Sequence, residues 1–87
     1  MTKKEITEKS KIDRIIGAKL RTKRIELGFS LAAVASAVDI SEFELARLES
    51  GTKRISAITM VTFCKLFHVR PFYFFEHWEI SDDSKVG

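Results

Sequence analysis

Residues 30–51 read SLAAVASAVDISEFELARLESG, and the fold of the whole chain turns on them. Ser30 and Ser41 each precede a short run with apolar residues at helical spacing, and serine is a residue type that caps helix N-termini. Between the runs lie only Asp39 and Ile40, which allow no more than a tight turn. Glu44 follows Ser41 by three residues, the spacing of a capping box, and Gly51 suits a left-handed C-cap. A short, alanine-rich helix over Leu31–Val38 is therefore expected, then a second helix from Glu42 to Ser50. A pair this short cannot enclose a core alone, so its flanks must supply the remaining apolar surface.

The flanks read as helices too. Upstream, Ile12, Ile15, Ile16, Leu20 and Leu27 recur at three-to-four spacing and predict one buried stripe. Ser10 with Asp13 looks like the capping box that opens this helix, and Gly28 like its stop. Downstream, Lys53 and Arg54 fall in a loop, and Ser56 opens a fourth helix with Met60, Phe63, Cys64 and Phe67 inward. Pro71 suits the first turn of a short fifth helix carrying Phe72, Tyr73, Phe74 and Phe75. Phe63, Phe67, Phe74 and Phe75 read as core. Phe72, Tyr73 and Trp78 exceed what so small a core absorbs, and so read as a docking patch or a homodimer contact. The expected architecture is an all-α, five-helix domain over residues 11–78. A flexible arm precedes it over 1–10, and an acidic flexible tail follows over 79–87.

Composition narrows the function. The 87 residues are 45% hydrophobic, enough for one packed core. No apolar run reaches the ~20 residues of a membrane helix, and no apolar stretch follows the lysine-rich start as a signal peptide requires. A lone cysteine, Cys64, excludes an internal disulfide and suits a reducing cytoplasm. Cys64 with His68 and His77 makes no metal site, and no cofactor is expected. There is no paired-carboxylate cleft, phosphate loop or nucleophile–base arrangement, so the chain does not read as an enzyme.

Charge is segregated. Residues 1–29 hold nine Lys/Arg against four acids, whereas residues 30–50 hold one arginine against four acids. Residues 51–70 are wholly basic in balance, with four cations and no acid.

The stretches IGAKLRTKRIELGFS (residues 16–30), LARLESG (45–51) and VRPFYFF (69–75) resemble the Cro and phage-repressor (XRE) type of helix-turn-helix domain. The likeness covers about residues 12–76 and implies a lambda-repressor-like fold. It also implies that Arg24 and Glu49 form the structural ion pair that seats the first helix on the third. Lys23, Lys53 and Arg54 match places where relatives touch DNA phosphates. Glu42, Phe43, Glu44, Ala46 and Arg47 match the groove-facing positions.

Those last positions depart from a DNA reader. Relatives begin the second helix with a glutamine that reaches a phosphate, and here the position is Leu31. Base readout favours arginine, glutamine and asparagine, and only Arg47 is of that kind. Two carboxylates, Glu42 and Glu44, would face a polyanion beside the large ring of Phe43. Capping explains why acids are tolerated there, but not why amides and cations are missing. The residues thus set a protein partner first: a transcription activator blocked by docking on Glu42, Phe43, Glu44 and Arg47, with DNA binding weak or absent. Small bacterial antiactivators are similar in general likeness only. The alternative is a sequence-specific DNA-binding repressor, dimeric on a palindromic operator.

Overall fold

The computed structural model describes the backbone of residues 3–75 and the side chains of residues 11–75. All regular structure among the described residues is helical: α1 (Lys3–Glu26), α2 (Leu31–Ala37), α3 (Glu42–Ser50), α4 (Ala57–Phe67) and a 3-10 helix (Pro71–Phe75). The expectation of five helices is corrected to four α-helices and this 3-10 turn. Five residues cannot propagate α-helical bonding far, and the Tyr73 N–H instead donates to the Arg70 carbonyl three residues back.

Three caps form as their serines predict. The Ser30, Ser41 and Ser56 hydroxyls accept from the N–H groups of Ala33, Glu44 and Thr59, at 3.0, 3.0 and 3.1 Å. The fourth reading fails: α1 starts at Lys3, so Ser10 lies inside a 24-residue helix, and no break in α1 marks the boundary expected at residue 10. Residues 3–9 hold no glycine or proline that would stop the helix from extending back past Ser10. Asp39 turns the chain between α2 and α3 in the left-handed region (φ 59°), which aspartate visits more readily than most residues.

The core gathers one stripe from every element. Ile16 and Leu20 of α1 meet Val34, Ala35 and Val38 around α2, Leu45 and Leu48 of α3, Phe63, Cys64 and Phe67 of α4, and Phe74. Leu27 does not join them. It lies beyond the end of α1 and is 45% exposed, contrary to its place in the predicted stripe. α1 packs most closely on α3, and Gly17 is why: a Cβ there would collide with the Leu48 carbonyl oxygen and come within 2.7 Å of the Glu49 carbonyl oxygen. Burial raises the Cys64 thiol pKa, which suits an inert packing residue and not a nucleophile. Among the described residues no helix is long and apolar enough to cross a membrane.

Candidate functional site

The site is the outer face of α3. Fully buried Leu45 and nearly buried Leu48 fix which way this helix faces. At ~100° per residue, Phe43, Ala46, Arg47 and Ser50 must then turn outward, and all four are exposed. Phe43 is 74% exposed, the ring carrying almost no packing of its own. The Arg47 guanidinium lies 5.9 Å from the centre of that ring and donates to the Thr52 carbonyl at 3.4 Å. Glu42 is exposed at the first position of α3, where its charge suits the helix dipole.

Glu44 behaves differently from its neighbours. Its backbone N–H satisfies Ser41, but its carboxylate turns to Lys53, 3.8 Å away, so only half of the expected capping box forms. The sequence sets two carboxylates, Glu42 and Glu44, against DNA. In the folded chain one of them is compensated.

The orientation of α3 is set by the predicted ion pair. Arg24 Nε and one terminal nitrogen donate to the two carboxylate oxygens of Glu49, at 2.7 and 3.1 Å, and the other terminal nitrogen donates to the Phe29 carbonyl at 3.0 Å. The Arg24 and Glu49 side chains are only 13% and 7% exposed. The Glu49 contact holds the Arg24 guanidinium above its ordinary pKa, so the pair stays charged.

Cations flank the helix on both sides. Lys53 and Arg54 occupy the α3–α4 loop beside Glu44 and Leu48, and Arg54 also bonds Asp13 of α1 at 3.1 Å. On the other flank a cleft of about 240 Å³ is lined by Arg21, Leu31, Ala46 and Ser50, over the Arg24–Glu49 pair. Lys23 is not there. Its ammonium bonds Glu26 at 2.8 Å and lies 5.3 Å from the centre of the Tyr73 ring, and the Glu26 bond raises its pKa. Sequence reasoning grouped Lys23 with Lys53 and Arg54, and the structure separates them. It also left Arg21 out of the phosphate contacts, although three-to-four spacing from Arg24 and Gly17 places it near α3.

The helix-turn-helix model (HTH_3) matches residues 20–74. The chain belongs to the helix-turn-helix family. It is of the Cro/phage-repressor (XRE) type, as the residues around α1 and α3 suggested. This helix-turn-helix protein is similar in structure to the clp gene regulator ClgR from C. glutamicum, with TM-score 0.72 and 26% identity, over 80% of this chain and 91% of that one. It also shares its fold with the restriction-modification controller protein C.AhdI from Aeromonas hydrophila, at TM-score 0.68 and 19% identity, over 72% of this chain and 96% of that one. No curated protein sequence matches it.

The second candidate surface is divided. Phe74 is wholly buried, Tyr73 packs against the core edge-on to Phe74 with Lys19 4.5 Å above its ring centre, and only Phe72 is largely exposed, at 55%. The expected patch of Phe72, Tyr73 and Trp78 is thus reduced at Tyr73, whose ring is half covered. Trp78 and His77 lie outside the described residues.

Proposed function

We propose that the protein is a transcriptional regulator that lays α3 in the major groove of operator DNA. The observation that carries this reading is the Glu44–Lys53 pair, which leaves Glu42 as the one exposed, uncompensated carboxylate on α3, with Arg54 on one flank and Arg21 on the other. The sequence alone set a protein partner first, and that cancellation moves DNA ahead. Dimensions agree: a helix with its side chains is ~10–12 Å across, and the groove is ~12 Å wide. Three outward side chains suit base edges. Arg47 can donate twice to guanine, Glu42 can accept from cytosine, and Phe43 can cover a thymine methyl. Lys53 and Arg54 contact phosphates, which position the protein without specifying sequence. A two-fold pair of chains would read half-sites ~34–36 Å apart, with exposed Phe72 available at the contact.

Selection of bound duplexes from a random library tests this reading. One enriched motif is expected, and Arg47→Ala is expected to relax a guanine position at a cost of ~1–3 kcal/mol. Failure to enrich any motif at low salt counts against it.

A specific observation favours a second reading. Phe43 stands almost free beside an acid, as a hot-spot anchor for another protein would. In that case the contact is a transcription activator blocked by docking, duplex DNA does not bind, and Phe43→Ala abolishes repression without any operator.

A further inference from the structure

We infer that Arg21 is a phosphate anchor for the DNA strand that passes on the α2 side of α3. The inference rests on the DNA reading above and adds to it a residue outside the phosphate contacts that the resemblance implies.

Leu45 and Leu48 point into the core, so Ala46 and Glu49 lie towards one flank and Glu44 towards the other. Each flank opens onto a cleft. The cleft beside Glu44 holds Lys53 and Arg54, and the cleft beside Ala46 and Glu49 holds Arg21 and Arg24. A helix seated in a major groove has a sugar–phosphate strand on either side. One strand therefore runs along the Lys53–Arg54 cleft and the other along the Arg21 cleft.

On the second side the inventory is short. Leu31 stands at the first position of α2 and offers no side-chain donor. Arg24 is consumed by Glu49. The Ser50 hydroxyl is committed to the Arg47 carbonyl and the Thr52 hydroxyl, at 3.1 and 3.0 Å. Arg21 remains. It is exposed and makes no ion pair or hydrogen bond among the described residues, unlike Lys53 and Arg54, which each face a carboxylate. A guanidinium in this position meets a phosphate at no cost in an existing pair, and its planar fork matches the two phosphate oxygens.

The experiment is the salt dependence of binding to a 20-base-pair duplex of random sequence, for the full chain and three variants. Neutralising one phosphate contributes ~0.9 to the slope of log affinity against log salt. Arg21→Ala is expected to lower the slope by about that amount, which is about tenfold in affinity near 50 mM salt and little near 1 M. Arg21→Lys should keep the slope. Lys65→Ala is the control: it removes the same unit of charge near the far end of α4, whose first turn is the part beside α3, and should leave the slope alone.

Equal loss in Arg21→Ala and Lys65→Ala would overturn the inference, since net charge alone would then account for it. A wild-type slope in Arg21→Ala overturns it while leaving the DNA reading intact. If the unaltered protein does not bind the duplex even at 50 mM salt, the DNA reading itself falls, and the role of Arg21 with it.

Discussion

Replacing Gly17 with alanine sets two opposing magnitudes against each other. In an exposed helix interior the change is stabilising by ~1 kcal/mol, because glycine is a poor helix former. At Gly17 the new methyl group meets backbone. It collides with the Leu48 carbonyl and sits 2.7 Å from the Glu49 oxygen and 2.9 Å from the Glu49 carbonyl carbon, where ordinary contact begins at 3.4 Å. The Glu49 oxygen alone must retreat by ~0.7 Å, and no rotamer change can provide that, since α1 and α3 must separate as rigid bodies. Leu20, Leu45 and Leu48 fill that interface and would lose contact as it opened. Overpacking costs ~1–3 kcal/mol, and a wholly backbone clash belongs at or above the top of that range. The net expectation is a loss of ~2 kcal/mol or more, a fall in Tm of ~8–16 °C for a domain of this size. Thermal unfolding followed by far-UV circular dichroism measures it. A Tm equal to or above that of the unaltered protein would refute the close crossing of α1 and α3, and with it the placement of α3.

Three other substitutions test neighbouring parts of the account. Glu49→Ala strands Arg24 in a mostly buried position and is expected to cost ~3 kcal/mol in urea unfolding, the low end for a broken buried pair, because the Phe29 carbonyl still accepts from Arg24. Glu49→Gln, which keeps an acceptor, should lose less. Phe43→Ala is expected to change stability by no more than ~0.5 kcal/mol, because the ring is 74% exposed, yet to weaken binding of whatever α3 contacts.

Much of the fold was legible because its signals are local. Ser30, Ser41 and Ser56 each cap the helix that follows, and Gly51 ends α3 at φ 80°, where any side chain would collide with Arg14. Cap chemistry depends on three or four consecutive residues, so a sequence displays it. The same locality misled at Ser10, because serine followed by aspartate three residues on looks alike at a helix start and inside a long helix. α4 ends at His68 in the left-handed region (φ 57°), a stop with no glycine to announce it. The candidate site was half legible. The outward set on α3 was implied by the resemblance to Cro and phage-repressor domains, and burial of Leu45 and Leu48 does turn Phe43, Ala46 and Arg47 outward. The charges around it were not legible, because Lys53 with Glu44 and Arg54 with Asp13 are pairings made by the tertiary fold, the latter across 41 residues. Counting carboxylates along the chain therefore overstated the acidity of the helix. Arg21 was hidden for the same reason: the cleft it lines needs α1, α2 and α3 together.

The central claim is that the outward face of α3 is the contact surface for DNA. Two-dimensional amide NMR during titration with the selected duplex tests it most directly. Shifts are expected to concentrate on Glu42, Phe43, Ala46 and Arg47, with flanking changes at Arg21, Lys53 and Arg54. Shifts confined to α4 and the 3-10 helix, with α3 silent, would contradict it.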